Sequence, residues 1–355
     1  MKNCTVIGID TAKNWIQLHG ADTNGKVVLK KRLTRDKFLP FMASISTCLI
    51  GMEACSGAHY WATALTKLGF NVKLMDARKV KKYADNQKND ARDAAACAEA
   101  VVRANMSFVA IKNATQLEIQ ELHRIRSYYV RQRTKMMNMI RGILLEVGIA
   151  IPKGRASLMR YLCSLVTPED ERLSVQMKEI VQDVYEELIH LEEKVKRHTN
   201  TVEKLAERDE DCQKIRTIPG IGPLTATAII AKIGNGSDFK KGRGLSAYLG
   251  LVPKQHSSGD KQCLGKITKH GDRYLRELLV HGGRSVVQAA MRIDPIKKTF
   301  VKNDRHSVWA RELCDRLGRN KAAVALANKN ARLVIGVLKN KISFCVDLAH
   351  RCEAA

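Results

Sequence analysis

The run Cys4-Thr5-Val6-Ile7-Gly8-Ile9-Asp10 decides how the fold is read. It is short, apolar and β-branched, and it ends on a carboxylate. Those features predict a buried strand with an acid at its carboxyl end. A second run, Thr47–Glu53, ends in the same way with Ile50-Gly51-Met52-Glu53. In both runs a glycine stands two residues before the acid, which fits close backbone packing at that point. Trp15–Leu18 and Val27–Leu33 read as further strands, with Asn24-Gly25 as a hairpin signal between them. Helices are expected over Arg35–Ile45 and Ala58–Leu68, the second ended by Gly69. A strand over Asn71–Met75 and an Ala-rich helix over Asp90–Ala104 follow. Residues 1–110 therefore read as a mixed α/β domain that opens with a three-strand meander.

Four acids in that domain invite a joint reading. Asp10 and Glu53 end strands, and Asp90 and Asp93 share one helix face by their i, i+3 spacing. Two strand-end acids and a helical pair can converge at one edge of a sheet. Four carboxylates in one place repel unless cations sit between them, and hard oxygen ligands suit Mg²⁺, with Mn²⁺ as an alternative. Two such ions about 3.5–4 Å apart assist phosphodiester chemistry. Taken singly, each acid has an ordinary explanation, as a helix cap or a solvated helix face. Asp22, Asp76 and Asp85 are lesser acids of the same domain and stand as substitutes.

Charge narrows the partner. The 355 residues include 61 Lys+Arg and 36 Asp+Glu, a net charge of +25. Residues 212–355 hold 27 basic and 10 acidic residues, or +17 of that excess. Such a balance implies a polyanion, because net charge governs binding and solubility rather than fold. No strongly amphipathic basic helix favours a membrane surface, and no apolar run reaches the ~18 residues of a span. Nucleic acid is the better reading. Ten scattered cysteines form no CxxC pair. They read as small apolar residues in a reducing cytosol rather than zinc ligands. No signal-peptide pattern opens the chain, so a cytoplasmic setting is expected.

Residues 111–211 are rich in charge and poor in Gly and Pro, with apolar residues at helical spacing. Val175, Ile180, Val184, Leu188, Leu191, Val195, Val202 and Leu205 illustrate it. Long helices are implied, as a coiled-coil hairpin broken near Ile151-Pro152-Lys153-Gly154. Such a region serves as a spacer or as a dimerisation arm. Residues 212–355 begin with Ile218-Pro219-Gly220-Ile221-Gly222 and an apolar helix over Leu224–Ile233. A tight Gly-x-Gly turn at a helix N-terminus leaves amide groups that suit a DNA phosphate. This pattern is that of a helix-hairpin-helix motif, and an ordinary helical turn is its plain counterpart.

Tyr248-Leu249-Gly250-Leu251-Val252-Pro253 then leads into Lys254-Gln255-His256-Ser257-Ser258-Gly259. The string Gly265-Lys266-Ile267-Thr268-Lys269-His270-Gly271-Asp272-Arg273-Tyr274-Leu275-Arg276 follows. A serine among Lys and Arg residues is a candidate nucleophile facing phosphate. Its hydroxyl needs activation, and the cations stabilise charge on phosphoryl oxygens. The alternative is a flexible phosphate-contacting loop. Gly220, Gly222, Lys254, Lys266, Lys269, Arg273 and Arg276 are the candidate nucleic-acid contacts.

Together these strings resemble the DEDD-type insertion-sequence transposases, a family also described as bridge-RNA-guided serine recombinases. The resemblance spans nearly the whole chain. It implies a RuvC-like (ribonuclease-H-like) N-terminal domain in which Asp10, Glu53, Asp90 and Asp93 bind Mg²⁺. It implies a helical coiled-coil middle and a helical C-terminal transposase domain, residues 212–355, whose serine joins covalently to DNA. That serine precedes a glycine five residues after the proline of the GLxP string, which selects Ser258 over Ser257. The resemblance further implies dimers and tetramers, an active site in which acids of one subunit meet the serine of another, and a non-coding RNA pairing with donor and target DNA. Asn89 stands where Thr is common. A low aromatic content of 5% agrees with backbone and shape contacts rather than base stacking.

Two other readings use the same residues differently. A RuvC-like junction-resolving nuclease would use water as nucleophile and leave Ser258 idle. An architectural DNA-binding protein would use only the Gly-turn motif and leave the four acids unexplained.

Overall fold

The computed structural model describes residues 4–83, 89–167, 171–259, 261–302 and 304–344. Asp85, Cys345 and Cys352 lie outside the described residues. The chain divides into two compact units, residues 1–114 and 115–355.

The first unit is built on a mixed six-stranded sheet. In chain order it comprises β1 (Val6–Thr11), β2 (Trp15–Ala21), β3 (Val27–Thr34), α1 (Arg35–Ala43), β4 (Leu49–Glu53), α2 (Ala58–Lys67), β5 (Asn71–Met75), α3 (Ala77–Val80), α4 (Asp90–Val101) and β6 (Phe108–Val109). The sheet order is β3-β2-β1-β4-β5-β6. β1, β2 and β3 form the expected antiparallel meander, while β4 and β5 join parallel to β1. This is the sheet domain expected of a DEDD-type nuclease.

The pleat explains the layers. Ile7 and Ile9 of β1, Ile16 and Leu18 of β2 and Ile50 and Met52 of β4 point to one face. There they meet Phe38 and Met42 of α1 and Trp61 and Leu65 of α2. The opposite face carries Gly8, Asp10, Gly51 and Glu53, by the two-residue alternation of a strand. α4 lies across it, with Cys97, Ala100 and Val101 in the core it makes there.

The elements differ from the sequence reading mainly at their ends. α1 stops at Ala43 rather than Ile45, and α4 stops at Val101 rather than Ala104. β2 runs three residues beyond Leu18 to Ala21. α3 and β6 were not foreseen, being too short to show a period.

The second unit is helical. It contains α5 (Ala114–Glu146), α6 (Arg155–Leu165), α7 (Val175–Arg208), α8 (Glu210–Arg216), α9 (Pro223–Ile233), α10 (Gly242–Tyr248), β7 (Pro253–Gln255), β8 (Leu264–Ile267), α11 (Arg273–Ala290), α12 (Arg305–Leu317) and α13 (Arg319–Asn340). α5 and α7 form an antiparallel hairpin. Arg126 bonds Thr199 near one end, and Ile140 and Leu144 pack with Val184 and Leu188 near the other. The break at residues 151–154 exists, but it leads into α6, whose Leu158, Leu162 and Leu165 fill the same core. α8, α9, α10, α11 and α13 enclose a second core built from Ile215, Ile229, Leu249, Leu279 and Val334.

A buried polar contact ties three of these helices. His123 of α5 bonds the Tyr274 hydroxyl of α11 and the Thr227 hydroxyl of α9, both at 2.9 Å. Burial, reinforced by Arg126, holds its pKa down at about 4. The ring is neutral at pH 7 and both nitrogens are used.

Glycine geometry yields a stability test. A Cβ on Gly8 would sit 2.0 Å from the Ala94 carbonyl oxygen and 2.3 Å from the Ala98 nitrogen. Gly8→Ala should destabilise by at least the ~1–3 kcal/mol typical of overpacking. Gly142→Ala, with nothing within 4 Å of its added Cβ, should be neutral or stabilise by up to ~1 kcal/mol. Thermal denaturation of both variants checks the contrast. Equal melting temperatures would refute the close approach of α4 to the sheet.

Candidate active site

α4 brings the acids together. Gly8 and Gly51 leave room for its backbone, since a Cβ on Gly51 would lie 2.6 Å from the Cys97 carbonyl oxygen. Asn89 caps the helix, its side chain accepting the Ala91 amide at 2.9 Å. The Asn that departs from the common Thr thus fills an N-cap role. Asp90 and Asp93 occupy the first turn of α4. Asp10 leaves the end of β1 on the face that this turn overlies. One carboxylate oxygen from each of Asp10, Asp90 and Asp93 lies within 4.8 Å of the others.

Glu53 lies outside that three-way group but acts on it. Burial raises the Asp10 pKa to about 6, and the charges of Asp93, Asp90 and Glu53 push in the same direction. Burial also raises Glu53, followed by the charges of Asp93 and Asp76. Cys97, buried beneath, is pushed up to about 12 by burial and then by Asp10 and Glu53. The cluster is a region of concentrated, half-desolvated negative charge. A divalent cation with oxygen ligands fits this donor set, because it offsets both the burial of these carboxylates and their mutual repulsion.

The substitute acids have other tasks. Asp22 accepts the Asn24 and Lys26 amides in the β2–β3 turn. Asp76 caps α3 and pairs with Arg78 at 2.9 Å.

In the second unit a tight turn at Pro219–Gly222 joins α8 to α9. Gly220 has φ +89, and a Cβ there would lie 2.8 Å from the Gly282 carbonyl oxygen of α11. Its lack of a side chain thus serves packing. Gly222 caps α9 and faces open space. The Asn330 amide of α13, fully buried, donates to the Pro219 carbonyl at 2.8 Å.

The serine stretch is the exposed loop expected from sequence, and it is carried at the tip of a hairpin that the sequence did not announce. β7 and β8 pair antiparallel, and His256 donates its amide to Cys263 at 3.0 Å. These strands are short and polar, so no apolar alternation announced them. Ser257 and Ser258 are both exposed at the tip. They differ in their hydroxyls. Ser257 Oγ accepts the Cys263 amide and the Gln255 side-chain amide, each at 3.1 Å. Ser258 makes only backbone contacts, with Lys261, among the described residues.

The base of the hairpin is clamped. The Asn328 side chain donates to the Leu251 carbonyl at 3.0 Å. Arg276 donates to the carbonyls of Leu249 and His270 at 3.0 and 3.1 Å. Its guanidinium is thereby tied to the fold, a structural role that residue type alone does not show. Lys254, Lys266 and Lys269 are exposed along or beside the hairpin. Arg273 opens α11 and pairs with Glu277 at 2.7 Å. Among the described cysteines all are free, with Cys97, Cys212 and Cys314 buried.

A sheet domain with a carboxylate cluster, followed by a helical unit, is the architecture expected of a DNA-processing enzyme of the DEDD transposase class. Residues 7–149 match the IS110-type DEDD transposase family, and residues 212–301 match the family described as Transposase IS116/IS110/IS902. A probable family 20 transposase of Pseudomonas aeruginosa is 40% identical, covering 96% of this chain and 99% of its own length. The transposase for insertion sequence element IS1111A of Coxiella burnetii is 37% identical over 97% of this chain and 92% of its own. The corresponding protein of element IS1328 in Yersinia enterocolitica is 35% identical over 94% and 96%. The chain belongs to the IS110/IS116/IS902 family of DEDD transposases. Among the described residues no helix is long and apolar enough to cross a membrane.

The Asp10 pKa gives a pH prediction. In the metal-free protein this group binds its proton more tightly than in the unfolded chain. Its contribution to stability is therefore present below about pH 4 and is lost as pH rises through about 6. Asp10→Asn should raise the melting temperature of the metal-free protein at neutral pH and not at acid pH. Mn²⁺ affinity of the unsubstituted protein, followed by calorimetry, should rise between about pH 5 and about pH 7 as the proton is displaced. A flat profile across that interval refutes the coupling.

Proposed function

We propose that this transposase cuts and rejoins the DNA of an insertion sequence with Ser258 as nucleophile and with Asp10, Glu53, Asp90 and Asp93 as ligands of Mg²⁺ or Mn²⁺. The observation that carries the reading is the convergence of Asp10, Asp90 and Asp93 within 4.8 Å, beside Glu53. When bound there, a divalent ion supplies charge neutralisation at phosphoryl oxygens and lowers the pKa of a coordinated hydroxyl. The four acids hold that position and, when ionised, orient their oxygens toward it.

The choice of Ser258 rests on its hydroxyl. Ser257 is committed inside the hairpin, while Ser258 is exposed and its Oγ has no partner among the described residues. Its oxygen would bond to phosphorus as the bond to a deoxyribose oxygen breaks. The serine gives up its proton, and the leaving oxygen ends protonated. Lys254, Lys266 and Lys269, exposed along the hairpin and at its base, would hold phosphates, and Arg273 and Arg276 would add positive charge at the start of α11. Gly220 and Gly222 would present backbone to a DNA phosphate, and the open space at Gly222 suits this better than the packed Gly220.

The division of labour proposed is residues 1–110 for metal, 111–211 as helical linker and dimerisation region, and 212–355 for nucleophile and nucleic-acid binding. A non-coding bridge RNA would guide target and donor DNA, and a homodimer or homotetramer would act. The basic excess of residues 212–355 and the few aromatics support contact with nucleic-acid backbones rather than reading of bases. A RuvC-like resolving nuclease using water is the second reading, favoured by the acid cluster taken alone.

The deciding experiment incubates the protein with DNA carrying the element's ends, its flanking non-coding RNA and Mg²⁺, then separates covalent adducts by denaturing electrophoresis. Ser258→Ala should abolish the adduct, and Ser257→Ala should weaken it while leaving it visible. Cleaved DNA without any adduct, indifferent to Ser258, establishes the water mechanism. An adduct lost only in Ser257→Ala reassigns the nucleophile.

A further inference from the structure

α4 covers only part of its face of the sheet, and the uncovered part is not neutral. The strand register places side chains across it. Asp10 of β1 is opposite Gln17 of β2, and Gln17 is opposite Arg32 of β3. Two residues along, Gly8 is opposite His19, and His19 is opposite Lys30. Directly opposed residues of antiparallel strands project to the same face. Arg32 and Lys30 thus stand on the acid-bearing face, two strands from Asp10 or roughly 10 Å at ~4.8 Å per strand. Both are exposed. Trp15 projects to this face also, two residues before Gln17. It is 41% exposed, and the Arg32 guanidinium lies 4.5 Å from its ring centre.

From this row we infer a DNA-strand track across the open face of β2 and β3, leading to the acid cluster. Lys30 and Arg32 hold phosphates, and Trp15, backed by Arg32, offers its ring to one unstacked base. The inference rests on the proposed reading that DNA is cut at the acids. At a rise of ~3.4 Å per nucleotide, a span of roughly 10 Å sets these contacts about three nucleotides from the attacked phosphate.

Edge strands often carry lysines simply to prevent sheet-to-sheet pairing. That explains a charged β3. It does not explain why Arg32 shares the face and the register of Asp10 with Lys30 beside it on that face, nor why a tryptophan is left accessible there. Cation and aromatic side chains together form the platform on which proteins seat single-stranded nucleic acid. The acids repel a phosphate backbone, so a neighbouring basic row is what draws the strand toward them. Gln17, between the two charges, is a neutral donor and acceptor.

The test measures binding of the full-length protein to a fluorescein-labelled single-stranded DNA oligonucleotide, by anisotropy across a salt series, with Ca²⁺ replacing Mg²⁺. Lys30→Ala/Arg32→Ala should weaken binding about tenfold and lower the slope of log affinity against log salt by about 1.4, or ~0.7 per lost contact. Trp15→Ala should weaken binding by roughly tenfold with the slope unchanged, and Trp15→Phe should restore most of it. Lys37→Ala/Lys67→Ala removes the same charge from exposed positions of α1 and α2, on the opposite face, and serves as the control. Double variants that behave alike overturn the track. A larger loss for the matching RNA oligonucleotide than for DNA overturns its assignment to DNA. Asp10→Asn, assayed for cutting alone, reports separately on the acids. If it still cuts, the metal reading fails while the binding comparison stands.

Discussion

The N-terminal unit depends on one contact between backbones, the seating of α4 on Gly8 and Gly51. Side chains at either position would displace the helix from the sheet, since added Cβ atoms would fall at 2.0 and 2.6 Å from its carbonyl oxygens. Strand alternation then places Asp10 and Glu53 on the same face, two residues further along. The N-cap at Asn89 starts the helix where Asp90 and Asp93 fall in its first turn. Thus the glycines set how near the helix comes, the pleat sets which face the strand acids take, and the cap sets where the helical acids begin. Loss of any one would leave four acids in the sequence and no cluster in space.

The C-terminal unit solves a similar problem with different means. Gly220 and Gly282 touch backbone to backbone, and the buried Asn330 holds the turn from the other side. Two positions earlier on the same helix, Asn328 holds the Leu251 carbonyl beneath the serine hairpin. α13 therefore anchors both the turn between α8 and α9 and the base of the hairpin. An exposed polar hairpin with little core of its own is made steady at its root, leaving the tip open. His123 adds a neutral buried bridge between α5, α9 and α11, and its lowered pKa keeps it uncharged.

Much of this was legible in the sequence where local physics decides the outcome. Strands ending in Asp10 and Glu53, the Gly-x-acid spacing, the Asp90/Asp93 helix and the long helices of the middle all follow from period and capping. The meeting of the acids was legible only as a possibility, because it depends on strand order and on how closely α4 approaches. The β7–β8 hairpin was not legible, because Lys254, Ser257 and Lys266 give no alternation and the turn residues suit a loop equally well. The roles of Arg276, Asn328 and Asn330 were hidden for another reason. Their partners are backbone carbonyls, which leave no trace in residue type. Gly220 also meets a packing requirement, set by its neighbour Gly282, that only the fold reveals.

The distribution of charge within the first unit carries the argument furthest. In a chain with 61 Lys+Arg, cations are the easiest partners for a carboxylate to acquire. Asp76, close enough to influence Glu53, has acquired one in Arg78, and its pKa is lowered accordingly. Asp10 has gone the other way, with burial and three neighbouring acids all raising it. An arrangement that costs folding stability in the metal-free state is consistent with a cation that arrives later and is not part of the chain. Arg32, in register with Asp10, and Lys30, two residues along, stand two strands off. That distance is too great to neutralise Asp10 directly, yet it suits a polyanion laid between them. Separation of acid from base on one sheet face therefore leaves room for metal at one end and phosphate at the other.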